Sequence, residues 1–293
     1  MELRQDLRDH WSEYLFVSDL DGTLLDGSMT IPSFTSVAIS RLLDRGLKFT
    51  IASARSPQAA FRILEPLPLT LPIILHNGVI IADPRSKKML SVLSLTAAVA
   101  DQLLAIGNSH GLSPYLLTFA NAARLYFLEP ENEGQRFFID TRARRNDPRL
   151  RKTSRLRDHL DEQVIQVCFV GTEEGLAGIS AEIGATLRQD VTTHFFPDVY
   201  CPPFYWLDVV HPEATKDRAV ATVAKMCDLP LCRVVSFGDS LNDIEMFRVS
   251  AVAIAVRNAH DRVKEAAHLV LDRTADEDAV AHFLTELTGE SNR

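Results

Sequence analysis

Short apolar runs ending on polar residues alternate with stretches of helical spacing along the first part of the chain. Leu15-Phe16-Val17-Ser18 runs directly into Asp19 and reads as a buried strand. From Ser33 to Arg45 the apolar residues Val37, Ile39, Leu42 and Leu43 recur at helical spacing, and Gly46 follows as a stop. Lys48 to Ala52 predicts a second strand, Gln58 to Leu64 a second helix, and Ile73-Ile74-Leu75 a third strand ending at His76-Asn77-Gly78. Strand, helix, strand, helix, strand predicts a parallel sheet. Such a sheet places its chemistry at the carboxyl ends of its strands, and Asp19, Ser53 and Asn77 stand at those ends.

From about Asp83 the rhythm changes. Met89 to Leu93, Pro114 to Phe119, Ala123 to Leu128, Val164 to Val170 and Thr192 to Phe196 read as strands, with helices over Thr96 to His110 and Glu173 to Leu187. The alternation returns with a strand over Phe204 to Val210, a helix over Thr215 to Met226 and a strand over Arg233 to Phe237. Leu241 to Phe247, Asp261 to Ala267 and Glu277 to Leu287 follow as helices, with strands at Ala251 to Val256 and His268 to Leu271. The fold class is therefore α/β: a Rossmann-like parallel sheet core interrupted by an α+β cap. The core is assigned to 1–82 and 204–293, and the cap to 83–203.

Composition narrows this little. With 293 residues, 46% of them hydrophobic and 24% charged, the chain has ordinary globular proportions and room for one or two cores. The net charge of −8 argues against general nucleic-acid or membrane binding. Apolar runs fall short of a membrane span, and Met1 to Tyr14 lacks the apolar core of a signal peptide, so a cytoplasmic location is expected. Cys168, Cys201, Cys227 and Cys232 form no C-x-x-C pair and read as buried free thiols in a reducing compartment. Oligomeric state leaves no mark on the sequence.

Four short segments carry candidate chemistry. Asp19-Leu20-Asp21-Gly22-Thr23 follows the first strand directly; of its two carboxylates one suits a nucleophile and the other an acid/base, and Gly22 permits a tight turn. Ser53 follows the second strand with a hydroxyl and nearby backbone N–H groups able to hold phosphoryl oxygens, although taken singly such a serine is a turn or cap residue. Lys216 opens a predicted helix, where a cation is out of place unless it neutralises an anion. Gly238-Asp239-Ser240-Leu241-Asn242-Asp243 follows a later strand and offers oxygen ligands to a hard cation such as magnesium. A helix cap explains Asp239 or Ser240 alone, but not the whole segment.

Together, and in this order, the four segments resemble the haloacid dehalogenase superfamily of phosphatases, and the position and size of the insert resemble its Cof-type subgroup. The likeness covers nearly the whole chain and extends to Asn77-Gly78, to Asn258-Ala259 and to Val263-Lys264. It implies that Asp19 is the nucleophile of an aspartyl-phosphate and that Asp21 protonates the leaving oxygen and then deprotonates water. It implies that Ser53 and Lys216 hold the phosphoryl group, with Asn242 bonding to that group or positioning Lys216. Asp19, the backbone carbonyl of Asp21, and Asp239 would ligate Mg2+, with Asp243 supporting its water shell. The partner implied is a small phosphorylated metabolite, such as a sugar phosphate or phosphorylated cofactor, over which the cap would close.

The chain departs from the family pattern at Ala54 and Asp217, where glycine is usual, and at Arg257, where a small residue is common. Arg55 and Asn77 are further candidate substrate contacts; Arg55 suits a phosphate or simply a core aspartate. The basic run from Arg142 to Arg157 reads first as a solvated face, and second as a landing surface for another anion. His194-Phe195-Phe196-Pro197 with Tyr200 and Tyr205 reads first as packing, and second as a platform for a ring. Two other functions compete with hydrolysis: phosphoryl transfer, as in a phosphomutase, and phospho-ligand binding without catalysis.

Overall fold

The computed structural model describes residues 2–120, 122–198 and 200–290, so the outer limits predicted for the core, 1 and 293, lie outside the described residues. Its strands in chain order are β1 (Leu15–Ser18), β2 (Lys48–Ile51), β3 (Ile73–Leu75), β4 (Ile80–Ala82) and β5 (Met89–Val92), then β6 (Tyr115–Phe119), β7 (Ala123–Phe127) and β8 (Leu150–Lys152). These are followed by β9 (Gln163–Thr172), β10 (Thr192–Pro197), β11 (Phe204–Val210), β12 (Val234–Gly238), β13 (Val252–Ala255) and β14 (Leu269–Val270). They divide between two compact units, Met1–Val92 with Thr215–Arg293, and Leu93–Ala214.

The first unit is built on a parallel sheet with the order β14-β13-β12-β1-β2. A parallel bridge between Ala52 and Ile74 sets β3 beside β2, and β3 continues into an antiparallel meander with β4 and β5. β1 therefore lies between β2, which follows it in sequence, and β12, which comes much later. In an open parallel sheet this reversal of strand order leaves a crevice at the strand ends, where ligands bind. All four residues of β1 and all five of β12 are buried, as strands covered on both faces must be.

The helix Ser33–Asp44 buries Thr35, Ala38, Ile39 and Leu42. Val37, expected on the apolar face, is 50% exposed, because successive helix residues are separated by about 100° and the buried stripe runs through Ala38 and Leu42 instead. The cysteines are free, but only Cys168 is buried; Cys201 and Cys227 are half-buried and Cys232 is exposed.

The second unit is a six-stranded sheet in the order β10-β11-β9-β6-β7-β8, antiparallel except for the pair β7 and β8. One of its cores gathers Leu103, Leu116, Val167, Phe169, Ile179, Leu207 and Val209.

Both predicted boundaries need correction. β5, assigned to the insert, pairs Ile81 with Ser91 and Ile80 with Val92 in the first unit. β11, assigned to the core, pairs with β9 and β10 in the second. An apolar run announces a buried strand but not its partner, so the units divide after Val92 and Ala214 rather than after 82 and 203. The sequence reading also missed the helix Glu133–Arg144, which buries only Gly134, Gln135 and Ile139. Among the described residues no helix is long and apolar enough to cross a membrane.

Candidate active site

The reversal point of the first unit collects the predicted segments. The Asp19 N–H donates to the Phe237 carbonyl at 3.0 Å, carrying the β1–β12 ladder one residue past the strand. The chain then turns through Gly22, whose φ is +76°. A Cβ at Gly22 would lie 2.4 Å from Asp239 Oδ2, so glycine serves here both the turn and the close approach of the two loops. Asn258 Nδ2 donates to the Gly22 carbonyl at 2.7 Å and ties the turn from the other side.

Within this crevice carboxylate oxygens of Asp19, Asp239 and Asp243 lie within 4.8 Å of one another. Lys216, the first residue of the helix Lys216–Met226, is completely buried, and its Nζ donates to Asp19 Oδ1 at 2.6 Å and to Asp243 Oδ1 at 2.5 Å. The lysine thus sits at a helix start because two carboxylates draw it there. Burial alone would lower its pKa, but Asp19 and Asp243 outweigh that and hold it above the ordinary value. Burial pushes the Asp19 carboxyl well above the usual carboxylate range; Lys216 opposes this, and Asp243 and Asp239 reinforce it. Asp239 is pushed up to about 6, chiefly by burial, against a hydrogen bond from Thr23 Oγ1 at 2.8 Å.

With all three carboxylates ionised, one ammonium would leave two negative charges, the complement of one divalent cation. The donors are oxygens only, and Asp19 and Asp239 both resist ionisation without further positive charge. This set fits a hard divalent ion.

Asp243 holds the arrangement together. Its Oδ1 accepts from Lys216, and its Oδ2 accepts from the N–H groups of Asp239 and Ser240, each at 2.9 Å. With both oxygens engaged, its visible work is to fix Lys216 and the Asp239 loop. Asp21 is not one of the three clustered acids: its carboxylate faces Arg55, with Nε to Oδ2 at 2.7 Å and Nη2 to Oδ1 at 2.5 Å. Ser53 is buried at the end of β2; its N–H donates to the Ile74 carbonyl at 2.9 Å and its Oγ accepts from the Arg55 N–H at 3.2 Å. Asn77, in the left-handed region at φ 53°, accepts at Oδ1 from Asn242 Nδ2 at 3.0 Å, linking the β3 and β12 loops.

Two residues of the site had no role in the sequence reading. Thr23 steers Asp239, and its signal was only its place in the first segment. Glu245 accepts from the Lys216 N–H at 3.2 Å, and nothing local in the sequence marks it. Of the departures from the family pattern, Asp217 accepts a hydrogen bond from the Thr215 hydroxyl and Arg257 pairs with Glu277 at 2.7 Å.

In the second unit the basic run is largely paired. Arg142 and Arg149 engage Asp147, Lys152 engages Glu129, Arg155 engages Asp158, and Arg157 engages Asp101. The aromatic cluster is less packed than expected. Phe195 stacks on Tyr205 with centroids 5.6 Å apart, yet Phe195 and Phe196 are each 41% exposed and Tyr200 is 74% exposed. β10 lies at the edge of its sheet, which leaves these rings partly uncovered.

Because Gly22 has both a positive φ and a neighbour at van der Waals limits, Gly22→Ala is expected to move Asp239 out of register with Asp19. Backbone strain of about 1–2 kcal/mol should separately lower the folding stability of the variant. Affinity for a divalent cation, read by titration calorimetry, should fall about tenfold or more as the Asp239 carboxylate is displaced, since about 1.4 kcal/mol is a factor of ten in affinity.

Comparison with known proteins gives the same direction. The family model of haloacid dehalogenase-like hydrolases matches residues 16–284. The chain is 26% identical over 274 residues to a 5-amino-6-(5-phospho-D-ribitylamino)uracil phosphatase of Bacillus subtilis, covering 93% of this chain and 97% of that protein. It is 27% identical over 273 residues to an HMP-PP phosphatase of Cronobacter sakazakii, covering 91% and 93%. In three dimensions it resembles a haloacid dehalogenase-like hydrolase from Bacteroides thetaiotaomicron, with a TM-score of 0.76 at 23% identity over 94% of this chain and 99% of the other.

Proposed function

The chain belongs to the haloacid dehalogenase-like hydrolases, and we propose that it hydrolyses a small phosphorylated metabolite, with magnesium bound, through an aspartyl-phosphate on Asp19. The observation that carries this reading is the meeting of three carboxylates with one buried ammonium at the reversal point of a parallel sheet.

Phosphate monoesters are slow to hydrolyse because an anionic nucleophile must approach an anionic ester, and because charge accumulates on the equatorial oxygens. Lys216 would counter both effects, since its ammonium already touches one oxygen of the Asp19 carboxylate. Asp19, the backbone carbonyl of Asp21, and Asp239 would hold the cation, which neutralises the remaining charge when bound. Asp243 would act behind them by fixing Lys216 and the Asp239 loop.

In the first half-reaction an Asp19 oxygen bonds to phosphorus, the bond to the leaving oxygen breaks, and Asp21 gives that oxygen a proton. In the second, water loses a proton to Asp21 and bonds to phosphorus, releasing Asp19 and inorganic phosphate. Covalent capture divides one difficult displacement into two easier ones. The Ser53 hydroxyl would hold the phosphoryl group, with Asn242 and Asn77 at the side of the site. The ribitylamino-uracil phosphatase among the relatives points to substrates of metabolite size.

The test is release of phosphate from a panel of sugar phosphates and phosphorylated cofactors, with and without magnesium. Turnover should disappear on chelation and return when magnesium is restored. A full panel without magnesium-dependent release would overturn the reading.

A further inference from the structure

We propose that Arg55 is the positioning residue for Asp21, aiming its carboxylate at the leaving oxygen rather than binding the phosphoryl group itself. This inference rests on the reading of Asp21 as the proton donor and acceptor.

Both oxygens of Asp21 are engaged by the same guanidinium, through Nε at 2.7 Å and Nη2 at 2.5 Å. The Asp21 side chain is 40% exposed, and at that exposure a lone aspartate samples several rotamers. Two parallel N–H···O bonds from one planar group remove that freedom. Each carboxylate oxygen gives one lone pair to the arginine and keeps another, so the clamp fixes where the remaining lone pairs point.

Arg55 is itself well placed to be rigid. Its side chain is only 19% exposed. Its N–H donates to Ser53 Oγ at 3.2 Å, and its carbonyl accepts from the His76 N–H at 3.1 Å. The residue thus joins the loops after β1, β2 and β3. A group anchored to the phosphoryl-side serine and clamped onto the acid holds the distance between them constant.

The role has a signature that simple phosphate binding lacks. A proton donor matters for an alkoxide leaving group and hardly matters for p-nitrophenolate. In Arg55→Lys the charge stays but the planar fork is lost. On an alkyl phosphate monoester kcat should fall about 30- to 100-fold, within the span of general acid catalysis. On p-nitrophenyl phosphate the pre-steady-state burst of p-nitrophenolate, which needs no proton from Asp21, should change less than about threefold, whereas the phosphate release that follows uses Asp21 as base and should slow; the burst also reports that the variant is folded. Added to Asp21→Asn, Arg55→Lys should cause no further loss on the alkyl ester, because groups acting as a unit are not additive.

A p-nitrophenolate burst slowed as much as the alkyl-ester turnover, with raised KM, would assign Arg55 to the phosphoryl group and overturn the proposal. So would additive losses in the double variant. If Asp21→Asn slows the alkyl ester while Arg55→Lys does not, this inference fails and the proposed function stands. If Asp21→Asn leaves the alkyl ester untouched, the role of Asp21 fails and this inference falls with it.

Discussion

Asp19→Asn should abolish phosphate release, with a loss on the order of 10⁴–10⁶-fold, while the protein stays folded. The amide is nearly the same shape as the carboxylate but cannot form the bond to phosphorus, so no aspartyl-phosphate accumulates. The fold survives because Lys216 keeps its second partner, Asp243 Oδ1 at 2.5 Å. Stability should even improve in the absence of metal. Burial holds the Asp19 pKa well above its unfolded value, so ionising Asp19 at neutral pH opposes folding. A carboxyl of this kind contributes stability while protonated and loses it as pH rises through the folded pKa. The amide removes that dependence. Thermal melts without metal at pH 7 should therefore place Asp19→Asn at or above wild type, and magnesium should raise the wild-type melting temperature more than the variant's. Release within tenfold of wild type would refute the nucleophile assignment, and collapse of the fold would refute the electrostatic account.

Three of the four segments were legible because each sits where a strand pattern stops on a polar residue, and Lys216 because it is a cation at the start of a predicted helix. A buried strand followed by Asp19 or Asp239 can be read locally, and the topology then brings these ends together. What local pattern cannot supply is which donor faces which oxygen. Arg55 was open to a phosphate or to an aspartate, and the choice of Asp21 depends on a loop 34 positions away. Glu245 was invisible for the same reason, since its contact is with a backbone N–H on another helix. The boundaries failed where pairing decided the matter: β11 has the sequence of a core strand, yet it pairs with β9 and β10. The helix Glu133–Arg144 escaped because its apolar stripe is thin; Asn132 caps it by accepting from the Gln135 N–H at 2.9 Å.

Lys216→Met should be the most destabilising substitution in the site, as well as an inactivating one. Methionine fills much of the same volume, so packing changes little. What changes is charge: Asp19 and Asp243 stay buried, 2.6 and 2.5 Å from a place that no longer holds a cation. Removing one member of a buried ion pair while its partner remains typically costs about 3–5 kcal/mol. For a protein of this size that lowers the melting temperature on the order of 10 °C. The pH dependence separates this cause from a packing defect. The ammonium is what opposes the upward pull of burial on Asp19, so without it that carboxyl moves further up. Its proton is then bound more tightly in the folded than in the unfolded chain, and acid favours the fold. The gap between variant and wild type should therefore narrow as pH is lowered through the folded pKa that Asp19 has in the variant. A divalent cation should narrow it as well, by binding only the folded state and supplying the missing positive charge. A gap that stays constant across pH and is indifferent to magnesium would mean that Lys216 acts through its bulk, and the charge balance proposed for the site would be wrong.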